Sequence, residues 1–262
     1  MKRDAIAAQL YCFKNFIKTE CGIADTFRRL RAMGYEAVQL TASLPESLTP
    51  ARLRQLLEDH GLKALTSHEA AAKIFAEPER IIEKLRELGV AHLAYPAPHF
   101  TPTGVAETVD FAHRLNELAL KFREAGMTLA YHNHAIEFRR FEGQLMLDLI
   151  YDNAPALEGE IDTHWVQRGG ADPVKWIRRL KGRMEVIHLK DYGVDTDTIN
   201  EIWSNQPVMK PVGSGNLDWP EIIAAAEESG VRTFVVEQDR DVRDPFASFA
   251  ASFDYLASHF VR

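Results

Sequence analysis

Apolar and polar positions along this chain fall into a phrase that recurs from one end to the other. It consists of a stretch with apolar residues at helical spacing, a glycine, and a short run rich in β-branched and aliphatic residues. It reads "FRRLRAMGYEAVQL", then "LRQLLEDHGLKALTSH", "IIEKLRELGVAHLAY", "LALKFREAGMTLAYHNH" and "IIAAAEESGVRTFVVEQ". The glycines (Gly34, Gly61, Gly89, Gly126, Gly230) stand where a left-handed cap ends a helix. "WIRRLKGRMEVIHLKD" repeats the phrase around Gly182. The runs that follow are of strand length and do not strictly alternate, as in parallel strands buried on both faces. With "DAIAAQLYCF" and "ALEGEIDTHWV" added, the pattern predicts eight strands, near 5–12, 36–41, 62–68, 91–96, 127–133, 158–163, 184–189 and 232–237. Helices fill most gaps, and "PFASFAASFDYLASHF" supplies the eighth. The gap 139–157 holds only a short helix, and 190–218 reads as loop with a helical turn or two around 196–204.

Eight alternating units predict one α/β domain over 1–262, a (β/α)8 TIM barrel. The competing fold, an open doubly wound sheet, would carry a glycine-rich phosphate turn after its first strand. The turn here is "KNFIKTECG", and no Pro/Gly/Ser-rich linker divides the chain.

A composition 46% hydrophobic and 26% charged suits a globular protein with a sizeable core. The net charge of -7 argues against a broad phosphate-binding face and demotes nucleic acid as a partner. No apolar stretch is long enough for a membrane helix, and Gln9 interrupts the short apolar run at the N-terminus. Cys12 and Cys21 are too few for a disulfide framework. A cytoplasmic location is the expectation.

In such a barrel the active site forms at the C-terminal ends of the strands. Polar residues collect there: Gln39, His68, Glu69, Tyr95, then "YHNHAIEF" with His132, His134 and Glu137 after the fifth strand. The sixth strand ends with Glu160, Asp162 and His164, the seventh with His188, Lys190 and Asp191, the eighth with Glu237, Gln238 and Asp239. Buried ionisable groups cost several kcal/mol unless paired or bound to a metal. A carboxylate, an imidazole and a carboxylate on consecutive strands make a site for Mn²⁺, Mg²⁺, Co²⁺ or Zn²⁺. Each has an ordinary reading alone: Asp162 as a loop cap, His188 as a core histidine, Glu237 in a salt bridge. Two residues past His188, Lys190 shares its side of the strand and could meet a substrate oxygen or phosphate, or form an exposed ion pair. His68 is a substrate-contact candidate by parity.

"EIDTHWV", "VIHLKDY", "PVGSGNLDW" and "VVEQD", following "YHNHAIEF", resemble the sugar phosphate isomerase/epimerase superfamily of xylose isomerase-like barrels along essentially the whole chain. "GSGNLDW" looks like the family's Gly-x-Gly loop. The resemblance implies one divalent metal ion on Glu, Asp, His and Glu from strands five to eight. Asp162, His188 and Glu237 match three of these positions; where the family places a glutamate within strand five, this chain reads "LAYHNH". Glu137, folding back, is the first candidate for the fourth ligand, with His132 or His134 as the alternatives. The implied reaction is proton abstraction next to a carbonyl through a metal-stabilised enediolate, ending in isomerisation, epimerisation or dehydration. Glu237 is the first candidate for the base, with Glu137 or His134 as its partner, and His68, His132, His164 and Lys190 are substrate contacts. The implied partner is a small-molecule sugar or polyol, with no nucleic acid, no membrane, and a homo-oligomer left open. An endonuclease IV-like enzyme would need a basic DNA face, and a non-catalytic sugar-binding barrel would be expected to lose a metal ligand.

Overall fold

The computed structural model describes residues 1–194, 207–239 and 243–262. Its centre is a closed barrel of eight parallel strands: β1 Ile6–Gln9, β2 Ala37–Leu40, β3 Lys63–His68, β4 His92–Pro96, β5 Thr128–His132, β6 Glu158–Asp162, β7 Val186–Leu189 and β8 Thr233–Val236. Each strand pairs with its successor, and β8 closes on β1 through Ile6↔Phe234, Ala7↔Val235 and Ala8↔Val236. The predicted single-domain (β/α)8 architecture is the one observed.

The helices outside the barrel are α1 Glu20–Met33, α2 Pro50–Asp59, α3 Ala71–Ala76, α4 Pro78–Leu88, α5 Val105–Glu124, α6 Met146–Asn153, α7 Thr163–Arg168, α8 Pro173–Arg179, α9 Trp219–Ser229 and α10 Pro245–Phe260. Their ends follow local chemistry. Thr19 caps α1 by accepting from Gly22 N, and Gly34 ends it at φ 108°. A Cβ on Gly34 would stand 2.5 Å from Phe253 Cε1, so the glycine also lets α10 close against α1. Tyr35 Oη donates to the Phe249 carbonyl at 2.9 Å, tying the first unit to the last helix.

Three local differences from the sequence expectation bear on the site. The first strand stops at Gln9, because its side-chain oxygen accepts from Tyr11 N at 3.1 Å and turns the chain into a 3₁₀ segment. The sixth stops at Asp162, whose carboxylate caps α7. Third, 190–218 is not simply loop: Asp191–Val194 and Pro207–Lys210 form an antiparallel hairpin. The turn expected around 196–204 lies outside the described residues, as does much of the loop expected to help cover the pocket.

Alternate strand residues point into the barrel. At its floor Ala7, Ala37, Val186 and Val235 form a small apolar plug. Two residues further along those strands stand Gln9, Gln39, His188 and Glu237, all buried. A bulge between Val38 and Gln39 shifts the β2–β3 register and sets Gln39 opposite Thr66, hydrogen-bonded to its hydroxyl at 3.3 Å. Among the described residues no helix is long and apolar enough to cross a membrane.

Candidate metal and active site

His132 ends β5, Asp162 ends β6, His188 lies in β7 and Glu237 directly follows β8. Barrel closure brings one ligand atom from each within 4.8 Å of the others, and all four residues are buried. His188 Nδ1 lies 2.9 Å from Glu237 Oε2 and 3.9 Å from Asp162 Oδ2, and His132 Nε2 is 3.9 Å from Asp162 Oδ2. Asp162 divides its oxygens between two tasks. Oδ1 accepts from Trp165 N at 3.0 Å, capping α7, while Oδ2 turns toward the cluster.

Lys190 enters the same space. Its ammonium lies 2.9 Å from Asp162 Oδ2, 2.8 Å from Glu237 Oε2 and 3.2 Å from Asp239 Oδ2, with its side chain 1% exposed. Burial acts to lower its pKa, but the three carboxylates outweigh that and keep it charged. Burial likewise acts against Glu237, yet Lys190 and His188 hold it well below the usual carboxylate range. Asp162 is pushed up to about 6, chiefly by burial. His188 stays up at about 10 because Glu160 and Glu237 overcome its desolvation.

One layer deeper lies Glu160, also fully buried. Its Oε1 is 2.5 Å from His68 Nε2, 2.9 Å from His188 Nε2 and 3.6 Å from His132 Nδ1. Gln39 Nε2 donates to both oxygens at 3.1 and 3.2 Å, and Gln39 Oε1 takes His188 Nε2 at 2.7 Å and a short bond from Gln9. Burial raises the Glu160 pKa, but His68 and His188 more than reverse it, leaving a carboxylate.

Glu137 does not join these groups. It is buried, with Oε1 accepting from Tyr131 Oη at 2.9 Å and Oε2 from His134 N at 2.7 Å, so it ties down the turn after β5. His132, the alternative, stands in the strand-five place of the ligand set. His134 lines the cavity above and is neutral, pushed down to about 3 by burial and by Lys190. His164 turns away, because α7 begins at Thr163 and breaks the strand parity. Its ring packs against Trp165 and Tyr192, at centroid distances of 4.7 and 5.0 Å, and it does not line the cavity.

The cavity, about 540 Å³, opens over the cluster, with His68, His132, His134, Trp165, Glu237 and Asp239 in its wall. Sequence reasoning missed Trp165. The signal was available: a capping aspartate places the residue three positions on beside itself. Glu160 was visible as a polar strand-six residue, but nothing local showed three imidazoles converging on it.

The donor set fits a divalent cation. Two carboxylates and two imidazoles suit Mn²⁺, Co²⁺, Zn²⁺ or Mg²⁺. Asp162 Oδ2 is buried without an aligned hydrogen bond, and the ammonium already lodged there shows that the place favours positive charge.

The fold and this group of donors define a class, the xylose isomerase-like TIM barrels. The chain belongs to that family, whose model matches residues 27–259. It is similar to the rhizopine catabolism protein MocC of Rhizobium meliloti, 23% identical over 264 residues covering 87% of this chain and 78% of that one. A sugar phosphate isomerase/epimerase from Parabacteroides distasonis has the same fold, with a TM-score of 0.81 and 20% identity over 99% of this chain and 96% of that one. So does the probable 3-DHS dehydratase AsbF of Bacillus anthracis, with a TM-score of 0.73 and 16% identity over 99% and 100%.

Proposed function

We propose that this protein is a divalent-metal-dependent isomerase or epimerase of a sugar or sugar phosphate, acting by proton abstraction next to a carbonyl. The observation that carries the reading is the meeting of His132, Asp162, His188 and Glu237 beneath a cavity of about 540 Å³. A cation held by those four would supply Lewis-acid stabilisation of the enediolate charge. Glu237 is the base. Among the described residues its ion pairs and hydrogen bond run through Oε2, which leaves Oε1 for the substrate C–H. His134, neutral and in the cavity wall, is the second proton carrier. Glu137 is replaced in that role because both of its oxygens are engaged in the turn. Proton return to the adjacent carbon isomerises the sugar, and return to the opposite face epimerises it.

A lyase on the same metal site is the second reading: expelling a β-hydroxyl from the same enediolate gives dehydration, and a probable dehydratase shares the fold.

Elemental analysis of the dialysed protein tests the shared premise. The expected result is about one divalent ion per chain, lost in folded Asp162→Ala and Glu237→Ala. No ion in the wild type, even after reloading with Mn²⁺, Co²⁺ or Zn²⁺, would sink the mechanism. With metal established, NMR of ketoses and ketoinositols in D₂O reads solvent deuterium at the carbon beside the carbonyl, and mass spectrometry reads loss of water. His134→Gln is expected to keep its metal and lose about 10²–10⁴-fold in turnover.

A further inference from the structure

His132 and His188 each present one ring nitrogen upward and the other downward. Upward, His188 Nδ1 and His132 Nε2 face Asp162 Oδ2, and His188 Nδ1 also faces Glu237. Downward, His188 Nε2 and His132 Nδ1 both face one atom, Glu160 Oε1, at 2.9 and 3.6 Å. Glu160 is built to stay in place. It is fully buried, its two oxygens accept from Gln39, and β5–β6 pairing sets it directly beside His132. A neutral imidazole can give a lone pair to a cation only from the nitrogen that carries no proton, so a carboxylate at one nitrogen decides which face is left to bind. His132 Nδ1 is buried without a hydrogen bond, and Glu160 Oε1, at 3.6 Å, is the carboxylate oxygen it faces.

We infer that Glu160 is a positioning residue for both histidine ligands, holding His132 as the Nδ1–H tautomer and, together with Gln39 Oε1 at 2.7 Å, His188 as the Nε2–H tautomer. The inference rests on the metal reading above. It also assigns Gln39 and Gln9 a task, as the links that keep the Glu160 carboxylate oriented. His68 belongs to the same construction. Its Nε2 lies 2.5 Å from Glu160 Oε1 and its ring stacks on His188 at 5.1 Å, buttressing the ligand from the side.

The rival reading makes Glu160 a ligand: His68, His132, Glu160 and His188 also bring four donor atoms within 4.8 Å. Filling both places at once would need two imidazoles stripped of both protons, and the Glu160 oxygens already accept from Gln39 and face His68.

The test uses the full chain with ¹⁵N-labelled histidine, loaded with Zn²⁺, which leaves the NMR spectrum sharp. Two-bond ¹H–¹⁵N correlations report each ring's tautomer, and chelator competition reports affinity. The wild type is expected to bind one Zn²⁺ with His188 protonated on Nε2 and His132 on Nδ1. In Glu160→Gln, Zn²⁺ affinity falls about 10- to 100-fold and at least one of the two rings changes tautomer, with an unchanged circular dichroism spectrum. Glu160→Asp, which keeps the charge, recovers part of the affinity. The opposite tautomers in the wild type would overturn the inference, as would affinity within about twofold of wild type in Glu160→Gln. A second Zn²⁺ that disappears with Glu160→Gln or His68→Asn would make Glu160 a ligand instead. No Zn²⁺ in the wild type would refute the metal reading itself and this inference with it, whereas the other outcomes leave that reading standing. The wild-type spectrum alone decides if the variant does not fold.

Discussion

Lys190 and Glu137 are the two buried ionisable groups on which the site's energetics turn most directly. Lys190, together with His188, neutralises the buried carboxylates of Asp162 and Glu237, and it also pairs with the partly exposed Asp239. Removing one partner of such a group costs about 3–5 kcal/mol. Lys190→Met is therefore expected to lose that much stability in chelator and to regain most of it when a divalent ion is added, by a larger rise in Tm than wild type shows. Calorimetry with and without metal checks this; equal rises in both proteins would refute it. Glu137 has the opposite problem, because burial lifts its pKa from 4.5 to about 7. A carboxyl with a raised folded-state pKa stabilises the fold below its unfolded value, and that contribution is lost as pH climbs through about 7. The stability of Glu137→Gln relative to wild type should therefore grow between pH 5 and pH 8, by at most roughly 3 kcal/mol. Urea unfolding at the two pH values reads the difference, and a flat difference would show that Glu137 is already ionised at low pH.

At the scale of elements, Asp191 has more donors than any other carboxylate described here. Oδ2 accepts from Gly213 N, Gly215 N and Trp219 Nε1 at 3.0, 3.0 and 2.7 Å, and Oδ1 from Tyr192 N at 2.8 Å. One side chain at the start of the hairpin thus pins the "GSGNLDW" loop and the first turn of α9. Gly215 permits that approach, since a Cβ there would stand 2.2 Å from Asp191 Oδ1. Asn cannot offer two acceptor oxygens, so Asp191→Asn is expected to cost about 2–4 kcal/mol. Hydrogen exchange should quicken at 213–219 and leave the strands protected; unchanged protection there would refute the anchoring role. The hairpin itself was not legible in the sequence. Its strands are separated by 12 residues in the chain, and each is too short to announce itself. The helix and strand of each repeated unit were legible, because apolar spacing and the glycine caps act within one or two turns.

Across the whole molecule, the donors come from β5, β6, β7 and the end of β8, and β8 closes the barrel onto β1. An ion bound there joins strands that are far apart in the chain, so its binding energy adds to global unfolding rather than to one loop. At a metal concentration of 100 times Kd the gain is about 2.7 kcal/mol, which for a chain of this size raises Tm by roughly 5–10 °C. Differential scanning calorimetry should show one transition moving as a unit, with no movement in Asp162→Ala. Two transitions, only one responsive to metal, would contradict a site integral to the barrel.

The sequence by itself determined the eightfold alternation, the helix caps, and therefore the strand ends at which chemistry collects. It also marked Asp162, His188 and Glu237, since parity along a strand is a local property. Tertiary structure decided the rest. His132 joins them because barrel closure carries it toward Asp162, while Glu137 is held in its own turn by Tyr131 and the His134 amide. His164 leaves because Asp162 caps a helix where an unbroken strand would have kept its parity. Glu160 gains its place between His68, His132 and His188 from strands that are 92, 28 and 28 residues away in the chain. Spacing along a chain states which side of a strand a residue takes; only the stagger of the closed barrel states which nitrogen meets which oxygen.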